Sequence, residues 1–236
     1  MLREERLKWG GLYPSAGRFS RMMSAPIYAL WLKHPPEEGV SMPNTLNDAI
    51  QQRYACREFV AARPVSADEL DLLLEAGRLA PSAFGLEPWR FIVVTDDTGR
   101  AKVARACQDQ PAATTAAALI VIVALVAALE PDSDYVRARF AAEARGQDAE
   151  PIHSAYRSFY RTVSPVEWAQ GQCNFAAAHM LLQAAHMGLG SCPIGGYDAP
   201  ALADALALPV GEAPALVVAL GECRQAAPER IRKPLD

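Results

Sequence analysis

Residues 118–126 read Ala-Leu-Ile-Val-Ile-Val-Ala-Leu-Val, a continuous apolar run rich in β-branched side chains. Successive side chains of a strand point to opposite faces of the sheet. A run without polar alternation therefore marks a strand buried on both faces, and a sheet built around it needs cover on each side. The wider apolar window, Ala116 to Leu129, is shorter than the ~18 residues that a membrane-spanning helix needs. It is read as a core strand, with no membrane partner expected.

Helices to cover the sheet are legible on both sides of this run. Leu46, Ala49, Ile50 and Tyr54 fall at helical spacing from a start near Thr45. Val65-Ser66-Ala67-Asp68-Glu69-Leu70 places serine at an N-cap and glutamate three residues on, a capping box, with a Val65–Leu70 staple. That helix carries Leu70, Leu73, Leu74 and Leu79 and should stop at Pro81. A loop, Pro81 to Pro88, leads into a predicted strand from Trp89 to Thr95, and Asp96 opens a short helix that runs to about Cys107. Residues 131–163 hold Tyr135, Phe140, Tyr156, Phe159 and Tyr160, and are read as two short helices covering something. Ser164-Pro165 starts the longest helix, proline being favoured at the first helical position. It reaches Met187, about 35 Å at 1.5 Å per residue, with small residues through its middle and Gly188 and Gly190 at its end. Ser191 to Asp198 is read as a turn-rich loop, Asp198 as the cap of a short helix, and Pro214 to Gly221 as the last strand. Strands and helices do not alternate regularly, which favours α+β over a doubly wound sheet.

Residues 1–41 differ from the rest. They hold six Lys/Arg against four Glu, whereas the remainder holds 17 basic against 23 acidic residues. They contain Gly10-Gly11, Pro14, Gly17, Pro26 and Pro35-Pro36 without sustained periodicity. We read 1–43 as an extension with little stable structure, Met42-Pro43 as a plausible natural beginning, and 44–236 as the domain. Ser24 to Leu32 follows two arginines but contains Pro26 and lacks a small-residue cleavage site, so it is not read as a leader. The net charge of −4 over 236 residues argues against a nucleic-acid partner. Five scattered cysteines, with no C-x-x-C pair, suggest neither a zinc knuckle nor a disulfide framework, and a reducing cytoplasm fits them.

Two basic clusters stand out in this acidic body: Arg53 with Arg57, and Arg230, Arg232 and Lys233. If the first helix continued through them, Arg53 and Arg57 would share a face, an unfavourable spacing for like charges. A bound phosphate would relieve it, because guanidinium forks match phosphate oxygens and stay charged. There is no G-x-x-x-x-G-K-[ST] loop and no G-x-G-x-x-G after a strand, so a phosphate would be held by side chains. Gly195-Gly196 lets the backbone approach a ligand. His179 and His186 share a helix face but lack further ligands at zinc spacing, and no metal is expected. No G-x-S-x-G elbow supports a hydrolase, and Cys192 is read as an inert thiol.

Taken in order, four motifs assemble into a pattern: Ala49-Ile50-x-x-Arg53-Tyr54-x-x-Arg57-x-Phe59; Leu79-Ala80-Pro81-Ser82-Ala83-x-Gly85-x-Glu87-Pro88-Trp89-Arg90-Phe91; Gly188-Leu189-Gly190-x-Cys192-Pro193-Ile194-Gly195-Gly196-Tyr197-Asp198; and Gly221-Glu222 with Arg230-x-Arg232-x-Pro234. Over residues 44–236 the chain resembles the FMN-dependent nitroreductase family. The resemblance implies an α+β fold with a central, mainly antiparallel sheet flanked by helices, in a domain-intertwined homodimer with two FMN sites at the subunit interface. It implies an oxidoreductase that takes a hydride from NAD(P)H and passes electrons to nitroaromatics, quinones or similar small acceptors by a ping-pong scheme. No side chain then needs to be nucleophile or base.

By motif, the resemblance lays Arg53, Tyr54 and Ala55 along the FMN phosphate and ribityl chain and Arg57 at the N1/C2 carbonyl edge. Arg230 and Arg232 also bind the phosphate. Pro81, Ser82, Ala83 and Gly85 reach the flavin of the partner subunit. Pro193, Ile194, Gly195 and Gly196 border N5 and O4, with backbone N–H groups from the last three. Gln108, Gln110 or Gln172 supplies the amide at the pyrimidine edge. Phe84, Phe159 and Tyr160 shape the substrate pocket, with 131–163 as its lid. Departures from the family pattern are Ala55 for a frequent serine, Phe84 and Gly85 for frequent asparagine or threonine, and Gly195 for a frequent glutamate. They bear on the substrate more than on the cofactor. The alternatives are a same-fold flavoenzyme for dehalogenation, enoyl reduction or flavin fragmentation, and a flavin-binding protein without turnover.

Overall fold

The computed structural model describes residues 45–60 and 63–235. The expected extension, 1–43, and the leader-like stretch in it lie outside the described residues. Helix α1 (Leu46–Gln52) starts where expected. The Thr45 hydroxyl accepts from the Asp48 N–H, and the Asp48 carboxylate accepts from the Thr45 N–H. Ser66 and Glu69 cap α2 (Ala67–Arg78) in the same reciprocal way. Glu69 is buried, and Arg63 Nη2 also donates to its carboxylate, so the charge that closes the cap is compensated.

Five strands form one sheet: β1 (Phe59–Val60), β2 (Trp89–Val94), β3 (Ala118–Ala124), β4 (Gly190–Ile194) and β5 (Ala213–Cys223). The order is β1-β5-β3-β2, with β4 also paired to β5, and every ladder between these strands is antiparallel. All seven residues of β3 are buried, as its unbroken apolar run predicts. Ala118, Ile120 and Ile122 face one core with Leu73, Ala176, Ala177 and Met180. Leu119, Val121 and Val123 face a second core with Val103, Ala104 and Leu202. The covering helices are α2 and α7 (Pro165–His186) on the first face, and α3 (Asp97–Ala106) and α8 (Ala199–Ala205) on the second. The short α4 (Pro111–Thr114) follows α3. The two expected short helices of 131–163 are α5 (Asp134–Ala144) and α6 (Glu150–Tyr160). Gly77 sets the approach of α2 to α7: an added methyl would meet Met180 Cε and, at 3.0 Å, Phe91 Cζ.

Three expectations are corrected. The first helix ends at Gln52, and Arg53 is its C-cap with extended backbone (φ −59°, ψ 127°), so Arg53 and Arg57 share no helix face. Half of the expected loop at 191–198 is strand. Residues 190–194 pair with 217–221 of β5, and Pro193, which lacks an N–H, is accommodated because β5 is the strand partner of β4 and the single bridge on the other side, from Ala55, falls at Ser191. Finally, Cys56 and Cys223 form a disulfide across 167 residues, with Cα atoms 5.8 Å apart. Cysteine spacing could not show this, because the pair is made by tertiary packing of the 53–57 segment beside the end of β5.

Candidate active site

The site is built on the segment that leaves α1. After Gln52 the chain extends past Arg53, Tyr54, Ala55 and Cys56, and it docks on β4. Ala55 makes a parallel bridge with Ser191, and the Cys56 N–H donates to the Ser191 carbonyl at 3.0 Å. The chain beyond β5 returns to the same place. The Tyr54 hydroxyl donates to the Gln225 carbonyl at 2.7 Å. Arg230 Nη2 donates to the Gln51 carbonyl at 2.9 Å and to the Arg53 carbonyl. Residues from the two ends of the domain thus meet although 177 positions separate Arg53 from Arg230.

What meets there is positive charge. The Arg53 pKa is lowered, first by burial and then by the fields of Arg230 and Arg232. Arg57 and Arg53 both act on the buried Cys192 thiol, lowering its pKa against the larger rise that burial causes. Among the described residues, no carboxylate forms an ion pair with Arg53, Arg57, Arg230 or Arg232, although Arg63, Arg78, Arg90, Arg100, Arg139, Arg157 and Arg224 each have one. What sets these arginines apart is that Arg53 lies within the fields of Arg230 and Arg232 with no carboxylate of the described residues paired to them, an arrangement in which guanidinium groups can bind an anion.

Beside the arginines, β4 delivers Pro193 and Ile194 and then the exposed Gly195 and Gly196. Space above Gly195 is open: an added Cβ would touch only Leu216 Cδ1, at 3.9 Å. Gln110, at the start of α4, donates from Nε2 to the Gly196 carbonyl at 2.6 Å, and the Asp198 N–H donates to the Ala106 carbonyl at 2.9 Å. The glycine turn is therefore fixed from the α3–α4 side while its surface stays bare. Gln108 is exposed at the end of α3 with φ +59°, and none of the described hydrogen bonds uses its side chain.

The loop 81–88 is a second feature. Ala83–Gly85 is one 3-10 turn in which Phe84 adopts φ +58°. This left-handed backbone costs a bulky residue on the order of 1 kcal/mol or more. The loop is over-determined by its neighbours. Gln172 Oε1 accepts from the Ala83 N–H (2.8 Å), Ser82 Oγ accepts from the Glu87 N–H (2.7 Å), and the Tyr135 hydroxyl donates to the Leu86 carbonyl (2.7 Å). Arg139 donates to the Gly85 carbonyl and to the Glu87 carboxylate. Gln172 thus positions this loop. Among the described residues, no hydrogen bond or ion pair joins Pro81–Gly85 to Arg53, Arg57, Arg230 or Arg232 of the same chain.

Phe84, Phe159 and Tyr160 belong to one aromatic cluster. The Phe84 ring lies 5.2 Å from Tyr156 and 5.3 Å from Phe159, and Tyr160 lies 5.8 Å from Tyr156. All three are half-buried. Tyr135 and Arg139 brace the 81–88 loop, and the Thr115 hydroxyl holds β1 by accepting from the Phe59 N–H at 2.9 Å; no sequence signal singles out any of the three.

An antiparallel α+β sheet with helices on both faces, and a cluster of arginines brought beside β4, define the class of fold. The sequence profile of the nitroreductase family matches residues 50–222, and the chain belongs to that family. A protein of Staphylococcus haemolyticus named as an NAD(P)H nitroreductase is 28% identical over 212 residues, covering 83% of this chain and 96% of the relative. Two solved structures share the fold. One, from Exiguobacterium sibiricum, is named as a nitroreductase in complex with FMN; it has a TM-score of 0.69 at 22% identity and covers 82% of this chain and 95% of its own. The other is a gut-bacterial enone reductase, with a TM-score of 0.68 at 22% identity, covering 81% and 95%.

Proposed function

We propose that the chain is an NAD(P)H-dependent FMN oxidoreductase that reduces nitroaromatics, quinones or similar small acceptors by a ping-pong scheme, in the cytoplasm where NAD(P)H is made. The observation that carries this reading is the convergence of Arg53, Arg230 and Arg232 without a carboxylate among the described residues. The donor set fits FMN: a dianionic phosphate takes several guanidinium groups, and a flat ring takes a bare glycine surface. Arg53, Tyr54, Ala55, Arg230 and Arg232 would hold the phosphate end. Arg57 would stand at the N1/C2 edge, with Pro193, Ile194, Gly195 and Gly196 at the other edge. Gln110, turned toward Gly196, is better placed for the pyrimidine edge than the exposed Gln108. Bound flavin supplies the two-electron carrier that accepts hydride from NAD(P)H and returns it to an acceptor. The protein's own work is to bind, to orient, and through Arg57 to favour the reduced, anionic ring.

The chain would act as a homodimer, with residues 44–236 as the catalytic domain, 1–43 as an appended extension, and Pro81, Ser82, Ala83 and Gly85 set against the flavin of the partner subunit. Leu46, Ile50 and Phe175 are large exposed apolar residues on α1 and α7, two helices that pack together. A second copy would cover them. The deciding experiment is the visible spectrum of the purified protein, followed by anaerobic NAD(P)H titration. A yellow protein bleached by NAD(P)H and re-oxidised by an acceptor is expected. A colourless protein that stays apo after incubation with FMN would overturn the reading. The enone reductase among the fold neighbours makes enone acceptors the second class to screen.

A further inference from the structure

The Cys56–Cys223 disulfide lies inside the cofactor scaffold rather than in a remote part of the fold. Cys56 is flanked by Ala55 and Arg57 in the segment that extends from α1. Cys223 is the last residue of β5, from which the chain leaves for Arg230 and Arg232. Residues 224–235 are all exposed and have no helix or strand of their own. Among the described residues, their ties to the domain are few. The Arg224 N–H donates to the Glu58 carbonyl at 3.0 Å, and Arg224 Nε meets Glu58 Oε1 at 3.0 Å. Gln225 accepts from Tyr54, and Arg230 donates to Gln51 and Arg53. The sulfur pair lies just before this segment, at the end of β5, where Cys223 also pairs with Phe59 of β1, and it is the covalent link there between the two segments. Gly190 forms its floor: a Cβ there would meet Cys223 Sγ and, at 3.3 Å, Cys56 Sγ. Cys56 is buried (2% exposed), whereas Cys223 is partly accessible, so a reagent reaches the bond from the Cys223 side.

We propose that Cys56–Cys223 is a thiol–disulfide switch that sets how tightly the site retains its phosphate-bearing cofactor. Oxidised, it pins the chain carrying Arg230 and Arg232 to the segment carrying Arg53 and Arg57, so that the anion finds its donors already assembled. Reduced, it leaves that chain to its few hydrogen bonds, and binding must order it first. The proposal rests on the FMN reading of this site. The chemistry is exchange with a low-molecular-weight thiol such as glutathione. A glutathione thiolate attacks Cys223 Sγ, the S–S bond breaks, and Cys56 leaves as thiolate and takes a proton. A second glutathione resolves the mixed disulfide. Two electrons and two protons pass from two glutathiones to the cysteines, and glutathione disulfide forms. Oxidation is the reverse.

The test uses full-length protein equilibrated in oxidised or in reduced glutathione, its state fixed by counting alkylated thiols by mass. FMN is then removed and titrated back by the quenching of its fluorescence. Reduction should weaken FMN binding by about tenfold, the equivalent of 1.4 kcal/mol. The double variant Cys56→Ser/Cys223→Ser should bind with the weaker constant in both buffers. Equal constants for the two wild-type states would overturn the switch, as would a pair that glutathione disulfide does not oxidise. That comparison does not depend on the variant folding. Absence of FMN binding in either state would remove the flavin reading itself, and the switch with it.

Discussion

At the scale of single residues, the arginines divide by environment. Arg53 is partly buried and feels Arg230 and Arg232, whereas Arg57 is exposed and shares with Arg53 the field on Cys192. Arg53→Ala should therefore weaken FMN retention by roughly 1.5–3 kcal/mol, the range for a charge-assisted hydrogen bond, read by fluorescence titration. Arg57→Ala should chiefly lower the flavin midpoint potential, read by dye-linked reductive titration. Equal effects of both variants on both readouts would contradict the division. Burial supplies a pH prediction. The Cys107 thiol is pushed up from 9.0 to about 11 and the Tyr135 phenol from 10.0 to about 12. Both groups hold their protons longer folded than unfolded. Their contribution is intact below pH 9 and is lost as pH rises from about 9 to about 12. Each removes on the order of 2 kcal/mol, visible as a falling urea midpoint across that range. The two basic clusters, around Arg53 and around Arg230, were legible as charge in an acidic chain, and the structure brings them together. Gln110 and Gln172 could not be given separate roles that way. Only packing shows that one holds Gly196 and the other Ala83.

At the scale of elements, the start of each major helix was readable because caps are local. Ser66 and Glu69 satisfy each other within four residues. Ser66→Ala should cost about 1 kcal/mol, and Glu69→Ala more, since Arg63 would lose its buried partner. Chemical denaturation of the two variants gives the comparison. β3 was readable because its burial is uniform; Ile120→Ala or Ile122→Ala should cost roughly 2–5 kcal/mol. β1 and β4 were not readable. One has two residues, and the other contains a glycine and a proline; both exist because β5 offers them a partner. The end of α1 was misplaced for a related reason. Tyr54 continues the helical apolar spacing, yet its ring is drawn away by the bond from its hydroxyl to Gln225, 171 residues on. A spacing rule cannot register a competitor that far along the chain.

At the scale of the whole molecule, β5 is the hub. It pairs with β1, β3 and β4, ends in Cys223, and releases the chain that returns to the arginine site. A cross-link spanning 167 residues restricts the unfolded chain strongly, by about 5 kcal/mol on the loop-closure model. Reduction should lower Tm by on the order of 10 °C, measured by scanning fluorimetry of the same protein in the two glutathione buffers. Light scattering should give twice the monomer mass. Because the last two arginines of the site ride on an exposed segment outside the sheet, the cofactor grip is separable from the fold. A trypsin cut after Arg224 would leave every strand and both cores whole while removing Arg230 and Arg232. The clipped protein would keep its melting transition and lose its colour on a desalting column, so that the last dozen residues act as a removable clasp.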